Sequence, residues 1–131
     1  MEAGQEIFGK AIYTYTRKQA IADGYQIKLE GTHAEIARQA GWKYPVYLTS
    51  GVWALIEEAV ENGRDDIDTV LWDIVWMARF GQDLSEDTRV FKVVTLLGTG
   101  RDQEHTLYIQ VGATDFDDPE PSITIMLPSE Q

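Results

Sequence analysis

The sequence contains no cysteine among its 131 residues, and it has only two histidines, His33 and His105. The lack of cysteine excludes a disulfide framework, a thiol nucleophile and a zinc–thiolate site. Neither histidine belongs to an H-E-x-x-H motif or lies near a nucleophile elbow, and both are expected at the surface. The phosphate loop and the dinucleotide fingerprint are also missing. We therefore predict no cofactor, no metal and no catalytic residue of these kinds, although a serine triad assembled from distant residues stays open.

The sequence also lacks long apolar runs. None reaches the about 20 residues that a membrane-spanning helix needs. Residues 1–10 do not show the basic and then apolar pattern of a signal peptide. We therefore expect a cytoplasmic protein without membrane contacts.

Basic residues are scarce. The chain contains 11 Lys and Arg residues and 22 Asp and Glu residues, which gives a net charge of −11. Residues 1–50 carry six basic and five acidic side chains, whereas residues 51–131 carry five basic and 17 acidic ones. Direct binding to DNA or RNA is disfavoured, because phosphate contacts need clustered Lys and Arg. The acidic half favours two interpretations, which are simple solubility and a face that competes for a basic partner surface.

The most apolar segment is Ile67 to Phe80. On a helix, one face carries apolar residues at i, i+3, i+4 and i+7 spacing, and a second apolar strip covers much of the remainder. The members of the two strips are Ile67, Val70, Leu71, Ile74, Met77 and Ala78, and then Trp72, Val75, Trp76 and Phe80. We predict a central core helix that is buried on several sides and capped by Asp66.

Local signals predict the other elements. The capping-box pattern occurs twice, in Thr16 with Gln19 and in Thr32 with Glu35. It predicts two short helices that end at Gly24 and Gly41. A third helix should run from Val52 to Asn62, capped by Thr49 or Ser50, and short extended segments are expected at 11–15, 25–29 and 42–48. Strand-like patterning recurs in the C-terminal part at Arg89–Leu97, His105–Val111 and Ile123–Leu127. We predict one α+β domain over residues 1–131, with short capped N-terminal helices and a central apolar helix packed on a mainly antiparallel C-terminal sheet.

The segment 112–122 is predicted to be a loop rich in acids and proline. Four acids cluster there within six residues: Asp115, Asp117, Asp118 and Glu120. A calcium loop would need a glycine at its sharp turn and a distal glutamate, and both are missing. We expect a solvated hairpin loop whose four acids are the candidate partner-binding residues.

A small-molecule pocket is an alternative site. Asp73 lies within the apolar helix, where burial would raise its pKa unless a cation or donor is near. Together with Tyr13 and Arg17, it is the candidate lining of a pocket between helix and sheet.

Four sequence blocks resemble a family of small uncharacterised proteins carried on plasmids, integrative elements and phages. The blocks are YTRKQAIADG within residues 12–24, YPVYLTSGVW at 44–53, LWDIVWMA at 71–78 and ITIMLP at 123–128. The segment Tyr25–Glu30 does not match the sequence, rich in Val and Asp, that is expected in this family after the first helix. The resemblance implies an accessory protein of a mobile element, and it carries over no catalytic residue.

Three functional hypotheses follow. The first is a non-enzymatic inhibitor that binds a protein or ribonucleoprotein of a host defence system, of the anti-CRISPR or anti-restriction type. The second is a small-molecule binding or hydrolytic domain that uses the pocket near Arg17. The third is a structural homo-oligomer, such as a homodimer, joined through the Arg89–Leu97 edge.

Overall fold

The computed structural model describes residues 15–63, 66–96 and 102–131. The helices in these ranges are α1 (Arg17–Ala22), α2 (Thr32–Gln39), α3 (Ser50–Glu61) and α4 (Ile67–Met77), with 3-10 turns at Ala78–Phe80 and Pro128–Glu130. The strands are β1 (Gln26–Lys28), β2 (Val46–Thr49), β3 (Gln82–Asp83), β4 (Thr88–Leu96), β5 (Asp102–Asp115) and β6 (Asp118–Met126). They form one sheet in the order β1-β2-β6-β5-β4-β3, and only β2 and β6 run parallel. The predicted α+β class and mainly antiparallel sheet are confirmed.

The two faces of the sheet have different roles. Because side chains alternate along a strand, Val46 and Leu48 of β2 lie on one face while Tyr47 and Thr49 lie on the other. The first face packs against α2, α3 and α4 in a single hydrophobic cluster that includes Leu48, Ile56 and Ile74. The second face receives α1 and carries the polar side chains described below.

The central helix is buried on one side only. Its residues Val70, Leu71, Ile74 and Val75 are buried against the sheet and neighbouring helices. Trp76 is 37% exposed and Phe80 is 60% exposed, so the expectation of burial on several sides is wrong. Of its second apolar strip, Val75 is buried and Trp72 is partly buried against the core, whereas Trp76 and Phe80 face outward.

The predicted helix caps are confirmed in part. Thr16 and Gln19 form the capping box of α1, and the Asp66 carboxylate accepts a hydrogen bond from the Thr69 N–H at 3.0 Å. The second box does not form, because α2 begins at Thr32 itself and Gly31 occupies the cap position without a side chain. A threonine inside the first turn has already joined the helix, so its hydroxyl no longer occupies the capping geometry.

The C-terminal part is a meander of β4, β5 and β6, as predicted, but its strands are longer. The segment 112–122, predicted to be a loop, is strand except for a two-residue turn at Phe116–Asp117. Of the residues of β6, only Ile123–Ile125 pair with β2, so the start of β6 is an edge where proline is tolerated. The predicted turn at 98–102 and the extended segment at 11–15 lie almost entirely outside the described residues. None of the described helices is long and apolar enough to cross a membrane.

Candidate functional site

The β5–β6 hairpin ends in an acidic tip, defined here as residues 115–120. Asp115 pairs with Asp118 across the hairpin, and Phe116 and Asp117 form the turn between them. The Phe116 side chain is 77% exposed, and Asp117 and Glu120 are exposed as well. The tip therefore presents an aromatic ring to solvent next to two free carboxylates.

The other two acids of the tip serve the fold. The Asp115 carboxylate accepts hydrogen bonds from the backbone N–H groups of Arg17 at 3.2 Å, Lys18 at 3.0 Å and Phe116 at 2.9 Å. Burial by itself raises the pKa of Asp115. These donors and the nearby Arg17 charge lower the pKa by more than burial raises it, so the pKa of Asp115 lies below its usual range. The Asp118 carboxylate accepts from the Glu120 N–H at 3.1 Å. A wholly solvated loop is therefore the wrong description, because Asp115 ties the tip to the first turn of α1.

Arg17 fastens α1 to the second face of the sheet. Its guanidinium donates to the Thr114 carbonyl at 2.6 Å and to three side chains, Gln26 at 2.9 Å, Ser122 at 3.1 Å and Thr124 at 2.9 Å. The guanidinium carbon also lies 3.8 Å from the centre of the Tyr47 ring, close enough for a cation–π contact. Burial lowers the pKa of Arg17, although arginine stays charged in proteins. These contacts make Arg17 an anchor for the base of the hairpin.

The predicted pocket of Tyr13, Arg17 and Asp73 does not assemble from the described residues. Arg17 lies on the second face of the sheet, whereas Asp73 belongs to α4, which packs against the first face. The sheet itself separates the two side chains. Tyr13 lies outside the described residues.

A different cavity of about 380 Å³ opens beside Arg17 on the second face. Its polar lining is already bonded within the protein. The Tyr15 hydroxyl donates to the Asp23 carboxylate, which raises the pKa of Tyr15 to about 12. The Glu130 carboxylate accepts from the Thr49 hydroxyl at 2.6 Å. Because its charged groups are held by structural partners, this cavity gives little support to the hydrolytic hypothesis.

The two histidines are only partly exposed. The imidazole of His33 lies 3.4 Å from the Asp68 carboxylate, and its ring packs on Trp53. Burial lowers the pKa of His105, and the Glu58 carboxylate partly opposes that effect. Within residues 15–63, 66–96 and 102–131, no cluster of metal-binding side chains is present.

An aromatic ladder runs from the partly buried Trp72 of α4 to the exposed Phe80 of the following 3-10 turn. Trp72 stacks on Trp76 with ring centres 5.5 Å apart, and Trp76 meets Phe80 edge-on at 5.8 Å. The Arg79 guanidinium carbon lies 4.7 Å from the Trp76 ring centre. Sequence reasoning assigned these rings to the core, although their i, i+4, i+8 spacing opposite the aliphatic stripe could have indicated a separate surface. It also omitted Phe116 from the site, despite the signal of an aromatic residue inside an acidic turn.

The outer edge of β4 is the surface that the homo-oligomer hypothesis uses. β3 covers this edge only at Arg89 and Val90. Beyond them, no described strand pairs with the outer edge of β4. An open edge permits strand addition, and short covering strands are one way in which proteins limit it.

No protein family, curated protein or solved structure matches this chain. The resemblance to the mobile-element family thus stays a prediction drawn from the four sequence blocks. The geometry of the tip, the ladder and the cavities is the remaining guide to function.

Proposed function

We propose that this protein binds a macromolecular partner through the acidic tip, and that the partner belongs to a bacterial defence complex in the cytoplasm. The observation that carries the proposal is the 77% exposure of Phe116 at the end of a hairpin braced by Arg17 and Asp115. In this mode Phe116 enters an apolar pocket of the partner. Asp117 and Glu120 face basic residues at the rim of that pocket.

The energetics of the tip favour a binding role. Burying a phenylalanine side chain contributes about 1.5–3 kcal/mol, and Phe116 gains almost none of this in the free protein. The three backbone hydrogen bonds to Asp115 hold the turn in place before a partner arrives. A pre-organised contact loses less conformational entropy on binding, so more of the burial energy appears as affinity.

Charge indicates what the partner surface is like. The net charge of −11 and the two exposed carboxylates of the tip complement a surface rich in Lys and Arg. Defence nucleases hold nucleic acid through such surfaces, because phosphate contacts need clustered basic residues. An acidic protein that occupies the surface would exclude the nucleic acid, and the resemblance to mobile-element proteins agrees with that role.

The test is capture of partner proteins from a bacterial host lysate with matched variants of the bait. Phe116→Ala and the double variant Asp117→Lys with Glu120→Lys should each lose the partner that the unchanged chain retains. Phe80→Ala is the control, because it removes an exposed phenylalanine from the opposite face of the sheet. Retention of the partner by both tip variants, or its loss only with Phe80→Ala, would contradict the proposal.

A second assay addresses the defence role directly. Cells with an active restriction or CRISPR system should accept foreign plasmid more often when they express the unchanged chain. The Phe116→Ala variant should give no such protection at equal protein level. Equal protection by the two chains would show that the tip does not act in this process.

A further inference from the structure

The outer edge of β4 is open over the second half of the strand. β3 pairs with β4 only at Arg89 and Val90, and no other strand of the described residues lies beside this edge. On its other side β4 pairs with β5 in a register that is continuous from Thr88 to Leu96. The backbone groups of β4 therefore alternate regularly between the β5 side and the outer side.

Two hydrogen bonds show which residues of β4 face outward. The Val111 N–H donates to the Asp87 carbonyl at 2.9 Å, so Asp87 faces β5. The Leu84 N–H donates to the Thr88 carbonyl at 2.9 Å, so Thr88 faces the outer side, and every second residue after it shares this direction. Beyond the part that β3 covers, the residues whose backbone groups face outward are Lys92, Val94 and Leu96.

This edge carries few of the usual protections against strand addition. Proteins limit such addition with proline, bulges, covering strands or charges at the edge. The segment 92–96 contains no proline, and its only charged residue is Lys92. The Lys92 ammonium lies 3.6 Å from the Glu104 carboxylate, which partly neutralises its charge. The three residues 93–95 are all β-branched, a type that favours strands. The edge is therefore suited to accept another strand.

The edge is complementary to a second copy of itself. With a two-fold axis beside Val94, the two strands run antiparallel and Lys92 lies opposite Leu96 of the second copy. All three outward residues of each copy are then used, which gives about six backbone hydrogen bonds. The two Lys92 residues lie roughly 13 Å apart along the strands, farther than the screening length of about 8 Å at physiological salt. Each β4 ends at Leu96, so the added strand stops before it reaches β3 at Val90.

We propose that two copies of this chain associate by antiparallel pairing of their β4 edges around Val94, which joins two six-stranded sheets into one. Two-fold homodimers are the commonest oligomers, and the pairing uses the same surface of both copies. The acidic tip takes no part in it, so the dimer does not depend on the proposed function. Each copy carries a net charge of −11, which opposes association at low salt. The dimer should therefore strengthen as ionic strength rises, whereas a basic segment of another protein on the same edge would bind more weakly.

Sedimentation velocity of the full chain over a series of concentrations, at low and at high salt, measures this association. Val94→Pro should weaken dimerisation by about tenfold or more, because it removes the N–H donors of both central hydrogen bonds. The hydrogen bonds to β5 are kept, since the N–H of Val94 faces outward.

The matched control places proline on the opposite edge of the sheet. The Leu29 N–H donates to the Val46 carbonyl at 2.9 Å, so Leu29 faces β2 and the preceding Lys28 faces outward from β1. Lys28→Pro should leave the dimerisation constant within about twofold of that of the unchanged chain. Circular dichroism of each variant confirms that the fold is retained before association is compared.

Cysteine crosslinking tests the same pairing without proline. The chain has no cysteine, so Val94→Cys introduces a single thiol into each copy. The Cα atoms of a hydrogen-bonded antiparallel pair lie about 5.5 Å apart, within the range that a disulfide spans. Mild oxidation should give a covalent dimer of Val94→Cys and none of Lys28→Cys. Four results would overturn the proposal: a monomer at every concentration, a dimer that weakens as salt rises, equal weakening by Lys28→Pro, or no disulfide from Val94→Cys.

Discussion

Replacing Ile74 by alanine tests the packing of the central helix. Ile74 is fully buried in the cluster between α4 and the sheet. Removing its side chain loses the transfer free energy of the deleted methyl and methylene groups and leaves a cavity. Together these effects should lower the free energy of unfolding by about 2–5 kcal/mol. Since small domains are stable by only about 5–15 kcal/mol, the change is a large part of the total.

Trp76 and Phe80 provide the comparison on the outer side of the same segment. The sequence pattern placed Trp76 and Ile74 in the same buried helix, but Trp76 is 37% exposed, and its ring contacts the partly buried Trp72 and the exposed Phe80. Such ring pairs contribute about 0.5–1.5 kcal/mol each, so Trp76→Ala should cost roughly 1–2 kcal/mol. Phe80→Ala, at 60% exposure, should cost about 1 kcal/mol or less.

Urea denaturation followed by circular dichroism measures all three variants. A loss of 2 kcal/mol would also lower the thermal midpoint by about 6–10 °C in a protein of this size. The urea dependence of the unfolding free energy should stay constant, because the surface exposed on unfolding changes little. A larger loss for Trp76→Ala than for Ile74→Ala would refute the one-sided burial of α4.

Three further predictions concern the stability of the protein. Arg17→Lys should destabilise the protein by about 1–3 kcal/mol in urea denaturation, because one ammonium cannot replace the guanidinium hydrogen bonds to separate strands. An unchanged midpoint of urea denaturation would disprove the anchor role of Arg17. Gly51→Ala should lower the free energy of unfolding by about 1–3 kcal/mol despite the better helix propensity of alanine, because the new Cβ would lie 2.7 Å from a Glu130 carboxylate oxygen. A gain in stability would contradict this close approach. The free energy of unfolding should fall as pH drops below about 6.5, because burial lowers the folded-state pKa of His105 and the unfolded chain then binds more protons. It should fall again below about pH 4, where protonation of Asp115 weakens the hydrogen bonds that its carboxylate accepts. Unfolding measured across this range should show a smaller loss between about pH 6.5 and 5 for His105→Gln, and an identical profile would refute the assignment.

Local signals in the sequence were sufficient for several elements. The capping box at Thr16 and the cap at Asp66 depend on residues three positions apart, so they can be read from the chain directly. The strand-like patterning of the last third indicated the meander for the same reason, because neighbouring strands are joined by short turns.

Contacts between distant residues could not be predicted in this way. The Asp115 carboxylate bonds to backbone groups of Arg17 and Lys18, almost one hundred positions earlier, and no local pattern marks that pairing. The parallel pairing of β2 with β6 is equally remote in sequence. The outward direction of the Trp72–Phe80 ladder was missed because a helix that is apolar on most sides does not reveal which side meets the sheet.

Site-specific photo-crosslinking is the most direct test of partner binding through the tip. Phe116→p-benzoylphenylalanine keeps an aromatic ring at the end of the hairpin, and the same replacement at Phe80 is the matched control on the helical side. After irradiation in host cells, we predict that position 116 forms a crosslink to one protein whose contact surface is rich in Lys and Arg, and that position 80 does not. Crosslinks from position 80 alone, or none from position 116 in cells where the chain inhibits defence, would contradict the account.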